Sequence, residues 1–97
     1  MDRDTVLSTV AAHAATLRGF GVCRLGLFGS MARGEAGPGS DLDFVVELAP
    51  KTFDGYMDTK FYLERLFGRP VDLVLLDAIK PRLRGPILTE AVFAAGL

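Results

Sequence analysis

Helix-like and strand-like segments alternate along this chain, which restricts it to folds that layer helices on a sheet. Apolar residues at helical spacing predict helices over three ranges: 4–18, 53–67 and 86–95. Mostly apolar runs predict strands over three others: 22–28, 41–48 and 70–76. The resulting order, αβαβαβα, predicts an α/β (α+β) fold. We expect a small mixed sheet with helices packed mainly on one face, in a single domain spanning residues 1–97.

The connections between these segments are short or rich in glycine. Gly29 and Ser30 follow the first strand, and a short helix is predicted from there through Arg33. Residues 34–40 contain three glycines and a proline, so we expect a loop. A basic connector follows the third strand, and Pro86 suits the first turn of the last helix, where a missing N–H costs nothing.

Composition excludes several classes of protein. The chain has a formal net charge of −1, so bulk attraction to phosphates does not drive it onto nucleic acid, and no direct nucleic-acid contact is expected. Cys23 is the only cysteine, which excludes an internal disulfide and a cysteine-based zinc site; we expect it to be a small core residue. No signal peptide or membrane-length apolar run is present, which predicts a cytoplasmic protein without membrane association. Self-association remains open.

Three acidic residues stand out because they lie in strands. Asp41 and Asp43 are two positions apart, so in a strand they point to one face while Leu42 points into the core. Asp72 lies in the apolar run PVDLVLL. An ionised carboxylate there is costly unless it is compensated, and neither strand carries an interleaved lysine or arginine. A Mg²⁺ ion, which prefers oxygen ligands, is the natural compensator. Asp41, Asp43 and Asp72 are therefore candidate metal ligands and catalytic residues.

The Gly29–Ser30 turn supplies a candidate phosphate site beside these acids. Backbone N–H groups at a strand-to-helix turn suit a phosphate. Gly29 would allow a close approach, and the Ser30 hydroxyl could donate a further hydrogen bond. The following loop returns the chain to Asp41.

The stretch GSMARGEAGPGSDLDFVVE, residues 29–47, together with the later lone aspartate on a strand, resembles the signature of the DNA polymerase beta-like nucleotidyltransferase superfamily. It is most similar to the minimal nucleotidyltransferase (MNT) group, and the resemblance extends from about Leu25 to Leu76. It implies the nucleotidyltransferase fold, two Mg²⁺ ions at the three aspartates, and an acceptor hydroxyl activated by Asp72. It also implies nucleotide contacts at four residues: Gly29, Ser30, Arg33 and Ser40. For Arg33, three alternatives stay open: it could brace the loop, be solvated, or pair with Glu35.

The resemblance also implies a biological role. MNT proteins commonly pair with a HEPN protein as a toxin–antitoxin system, and the MNT member is similar to an adenylyltransferase that uses ATP to modify a tyrosine of its HEPN partner. So short a chain has little room for an acceptor-binding domain, so we expect the acceptor on another protein. Two alternatives stay open. The chain could be a non-catalytic antitoxin that neutralises a HEPN toxin by direct binding, or an unrelated small α/β domain with accidental acids.

Overall fold

The computed structural model describes residues 1–37 and 39–97, and in this part of the chain the strands form one mixed sheet in the order β3-β2-β1-β4. The strands are β1 (Val22–Phe28), β2 (Leu42–Leu48), β3 (Val71–Leu75) and β4 (Val92–Phe93). β1 runs antiparallel to β2 and to β4, whereas β2 and β3 are parallel. The first three strands begin and end within a residue of their predicted bounds, because each is a buried run closed by turn residues.

The helices are α1 (Arg3–Ala12), α2 (Ala14–Gly19), α3 (Gly29–Ala32), α4 (Phe53–Phe67) and α5 (Pro81–Glu90), with a 3₁₀ turn at Leu76–Ala78. Capping side chains and a glycine fix several of the helix ends. The side chain of Asp2 accepts the Thr5 N–H at the start of α1, and that of Thr52 accepts the Gly55 N–H at the start of α4. Gly68 closes α4 in the left-handed conformation. None of the described helices combines the length and apolarity that crossing a bilayer requires.

The predicted helix 4–18 is interrupted at His13, which separates α1 from α2. The His13 Nδ1 atom lies 2.8 Å from the Thr9 carbonyl oxygen, and the imidazole ring packs edge-on against Tyr62. The apolar stripe continues across the break, since Val10 and Leu17 are both fully buried.

The prediction for the C-terminal segment was wrong. The helix occupies Pro81–Glu90 rather than 86–95, and β4 follows it. Pro81, not Pro86, takes the first turn, while Pro86 lies inside the helix. The chain leaves the helix at Ala91 because the next residues gain sheet hydrogen bonds along the free edge of β1.

Most of the core lies on one face of the sheet, which confirms the predicted arrangement. α1, α2 and α4 pack there against β1, β2 and β3, and the side chains that meet include Val6, Leu17, Leu25, Leu42, Phe44, Leu63 and Leu73. A smaller cluster lies on the opposite face. There Val45 meets Leu76 and Ile79, with Ile87 and Leu88 of α5 packed against them. α5 therefore covers part of the second face, the face that also carries Asp43.

Candidate active site

Asp43 and Asp72 lie directly opposite each other on the parallel strands β2 and β3. Their neighbours Leu42 and Leu73 are buried in the main core, at 0% and 4% exposure. Because side chains alternate along a strand, both aspartates point to the second face. Register and alternation together thus bring two carboxylates from distant parts of the sequence side by side.

Asp41 differs from its predicted position, since β2 begins at Leu42 and Asp41 lies exposed just before it. Its charge still acts on Asp43. Burial raises the pKa of Asp43, and the negative charges of Asp72 and then Asp41 raise that pKa further, with Arg33 opposing them. The three residues therefore share one electrostatic neighbourhood, called here the acid cluster (Asp41, Asp43 and Asp72).

Gly29 lies against the acid cluster. β1 ends at Phe28, the register partner of Asp43, and the chain then turns into α3 with Gly29 at φ 76°. A Cβ atom at Gly29 would lie 2.2 Å from Oδ2 of Asp43, so any side chain there would force the Asp43 carboxylate to move. Glycine is required here for two reasons: the positive φ and the contact with the carboxylate.

The backbone N–H of Gly29 donates to Oε2 of Glu90 at 3.0 Å, a partner that the sequence did not predict. The other carboxylate oxygen of Glu90 accepts from Arg33, whose Nε also donates to Glu35 at 2.7 Å. The pairing of Arg33 with Glu35, one of the sequence-based alternatives, is thus present. Glu90 was missed because it lay within a predicted helix, where a glutamate carries no local signal.

Ser30, in α3, and Ser40, at the end of the loop 34–40, are both half-buried. The carbonyl of Ser30 accepts the Glu35 N–H at 2.8 Å, so the turn is tied to the start of the loop. The hydroxyl of Ser40 accepts the Gly37 N–H at 3.0 Å, and the Ser40 N–H donates to the Gly37 carbonyl. Pro38, within the predicted loop 34–40, lies outside the described residues. Nucleotide contacts of both serines stay predictions.

In residues 1–37 and 39–97, no three His, Cys, Asp or Glu side chains stand together as a ready-made metal site. The donor set of the acid cluster nevertheless fits Mg²⁺. All its donors are carboxylate oxygens, and Mg²⁺ is usually held by one or two carboxylates together with substrate phosphates. The adjacent pair Asp43 and Asp72 meets that requirement.

Comparison with known proteins gives the family. Residues 13–94 match the model of the nucleotidyltransferase domain family. Over 92 residues the chain is 36% identical to protein adenylyltransferase MntA of Thermococcus cleftensis, and the match covers 93% of each chain.

Solved structures agree with this assignment. A structure described as a candidate minimal nucleotidyltransferase has a TM-score of 0.82 at 38% identity, with 95% of each chain covered. A toxin–antitoxin crystal structure with AMP-PNP has a TM-score of 0.70 at 25% identity, covering 90% of this chain and 73% of that one. A complex of tri-AMPylated Shewanella oneidensis HEPN toxin with an MNT antitoxin contains a chain with a TM-score of 0.63 at 22% identity. That match covers 94% of this chain and 73% of the other, and it shows a shared fold.

The resemblance carried by residues 29–47, and the fold and enzyme class that it implied, are thereby confirmed. The family model covers most of the chain, and the Thermococcus relative is matched over nearly its whole length. This chain therefore belongs to the nucleotidyltransferase family, as an enzyme of the minimal nucleotidyltransferase group.

Proposed function

We propose that this chain transfers the AMP group of ATP to a tyrosine hydroxyl of a HEPN-type toxin, with Mg²⁺ held at the acid cluster. The observation that carries the proposal is the pairing of Asp43 with Asp72 beside a turn whose glycine lies against Asp43. Carboxylates that can hold a divalent cation next to a phosphate-binding turn suit displacement at phosphorus.

The similarity to known proteins supports the choice of substrates. The Thermococcus relative is named a protein adenylyltransferase, which favours AMP transfer to a protein. One structural neighbour is a toxin–antitoxin complex with AMP-PNP, an ATP analogue, and another contains an AMPylated HEPN toxin. A HEPN-type toxin is therefore the acceptor we propose for this chain.

The acid cluster contains the residues that would hold Mg²⁺. Burial, and then the like charges of Asp72 and Asp41, raise the pKa of Asp43, and a divalent cation would oppose the effect of those charges by favouring the ionised forms. When bound, the ion supplies charge neutralisation for the phosphate oxygens and helps orient them for in-line displacement.

Four residues of the site have separate roles in the proposed reaction. The Ser30 hydroxyl donates to a phosphate oxygen, and Gly29 leaves room for the triphosphate because it has no side chain. Arg33 contributes positive charge near the acid cluster, where it opposes the rise in the pKa of Asp43. Asp72, the exposed acid of the pair, takes the proton of the acceptor hydroxyl. The hydroxyl oxygen bonds to the α-phosphorus as the bond to the leaving pyrophosphate breaks.

A transfer assay tests the proposal. The chain is incubated with Mg²⁺, ATP labelled on the α-phosphate and a candidate HEPN-type protein. We expect label on the HEPN protein, and we expect Asp41→Asn/Asp43→Asn to reduce the rate by about 10²–10³-fold because charge stabilisation at phosphorus is lost. Asp58→Asn, at an exposed acid on α4, is the matched control and keeps the wild-type rate.

The same variants separate catalysis from neutralisation by binding alone. If Asp41→Asn/Asp43→Asn transfers label at the wild-type rate, the proposed mechanism is wrong. If it transfers no label but suppresses HEPN toxicity in cells as fully as the wild type does, the chain acts as a non-catalytic antitoxin. Loss of both label transfer and suppression supports the enzymatic role.

A further inference from the structure

Glu90 is the last residue of α5, and the start of β4 sets its position relative to β1. Phe93 pairs with Gly26 and Val92 pairs with Leu27, in antiparallel register. Glu90 lies two residues before β4 and Gly29 one residue after β1, so the pairing of these strands brings the two residues near each other. The Gly29 N–H donates to Oε2 of Glu90 at 3.0 Å. A residue 61 positions further along the chain is thus tied to the candidate phosphate-binding turn.

Glu90 and Asp43 both lie against Gly29. The Gly29 N–H donates to Oε2 of Glu90, and a Cβ atom at Gly29 would lie 2.2 Å from Oδ2 of Asp43. The Glu90 carboxylate thus holds the backbone of the turn at the residue that lies against the acid cluster.

Glu90 also holds Arg33. One carboxylate oxygen accepts from Gly29 and the other accepts from the Arg33 guanidinium, so a single side chain joins both ends of α3. The Glu90 side chain is only 26% exposed, against 59% for Glu35, the other partner of Arg33. Glu90 is thus the more enclosed of the two carboxylate partners of Arg33.

We propose that Glu90 is a positioning residue of the nucleotidyl-transfer reaction, which keeps Gly29 against Asp43 and fixes Arg33 beside the acid cluster. The kinetic effect expected of Glu90 rests on the proposed function, AMP transfer from ATP. It assigns the C-terminal segment a part in the active site: α5 and β4 support the turn that faces the nucleotide. Glu90 acts through Gly29 and Arg33 and does not itself touch the substrate.

Steady-state AMP transfer by Glu90 variants tests this role. Glu90→Ala should raise the KM for ATP and lower kcat, with a combined loss in kcat/KM of about 10–100-fold, because a small displacement of positioning groups is costly. Glu90→Gln keeps an acceptor for the Gly29 N–H but loses the ion pair, so it should recover part of that loss. Asp58→Ala, at an exposed acid on α4, is the control and should leave both constants unchanged.

The KM for ATP separates positioning from a merely structural role. Loss of folded protein alone lowers the apparent kcat and leaves the KM unchanged. An unchanged KM in Glu90→Ala, or equal losses in Glu90→Ala and Glu90→Gln, would overturn the proposal.

Amide hydrogen exchange at Gly29, followed by NMR, tests the contact without reference to transfer. Glu90→Ala should accelerate exchange at Gly29 and weaken the binding of ATP, whereas Glu90→Gln should do so less. If the wild-type chain transfers no AMP, the proposed function fails, and these two measurements still decide the positioning role. Unchanged exchange and unchanged ATP affinity in Glu90→Ala would show that Glu90 does not hold the turn.

Discussion

The two faces of the β2–β3 ladder are built from alternate residues of the same two strands, yet their environments are opposite. Leu42 and Phe44 point to a face covered by three helices and are almost completely buried. Asp43, between them, points to a face that α5 covers only in part, and it lies beside Asp72. A shift of one residue in register would exchange the two sets of side chains.

This contrast shows how a small domain keeps charged groups in its sheet. The apolar face supplies stability and also fixes the register that pairs Asp43 with Asp72. The second face carries repelling carboxylates, which oppose folding to a small extent. The buried face should therefore control stability, and the acidic face should control catalysis.

The largest effect should come from Leu42→Ala on the buried face. Leu42 is fully buried, so the truncation removes apolar contacts, leaves a cavity and should lower the free energy of unfolding by about 3 kcal/mol. Asp43→Asn, at the next position, should leave that free energy unchanged or raise it slightly because it removes a repelled charge. Urea unfolding of the two variants measures the difference. Equal destabilisation by the two substitutions would show that the faces do not divide these roles.

An intermediate loss of stability is expected at the Gly29 turn, which lies against Asp43. Gly29→Ala introduces a side chain at positive φ and should cost about 1–2 kcal/mol. The new Cβ would also displace the Asp43 carboxylate, so AMP transfer should fall by about 10–100-fold. Gly34→Ala is the matched control. It has nearly the same φ, 75°, but a Cβ there would meet nothing within 4 Å.

Gly34→Ala should therefore show a similar stability loss and retain transfer activity. Unfolding curves and transfer rates for both variants, measured in parallel, separate backbone strain from displacement of Asp43. Wild-type activity in Gly29→Ala would contradict a functional contact between the turn and the acid cluster.

Much of this division can be predicted from the sequence because it depends on local patterns. Alternation along the strand places Asp43 and Leu42 on opposite faces of the sheet. The apolar neighbours of Asp72 indicate a strand even when the strand with which it pairs is not known. The glycine requirement at position 29 follows from the turn between a strand and a helix. The fold class follows from the order of the segments.

Long-range pairing explains what could not be predicted. The role of Glu90 depends on β4, a two-residue strand that exists because the edge of β1 is available.

The expectation that Cys23 is a core residue was wrong, since it is exposed. The register between β1 and β2 shifts between Val22 and Arg24, and this interrupts the alternation that the residue pattern suggested.

The smallest effect distinguishing the faces should appear in the pH dependence of stability. Burial, then Asp72 and Asp41, raise the pKa of Asp43 above its ordinary value of 3.8. In the window that begins near that value and extends upward, the folded protein holds a proton that the unfolded chain has released. The free energy of unfolding should therefore decrease as pH rises through this window.

The contribution of Asp43 is obtained by subtracting, at each pH, the free energy of unfolding of the Asp43→Asn variant from that of the wild type. The pKa of Glu90 is lowered by the hydrogen bonds from Arg33 and Gly29, so its ionisation has the opposite sign. Both proteins retain these hydrogen bonds, so the difference reports Asp43 together with its coupling to Asp72, Asp41 and Glu90. Urea unfolding from about pH 3 to about pH 7 should show the wild type losing stability relative to Asp43→Asn as pH rises. A wild type that gains stability relative to the variant would mean that Asp43 is held by favourable partners rather than by repelling acids. The acidic face would then not carry the energetic cost that distinguishes it from the buried one.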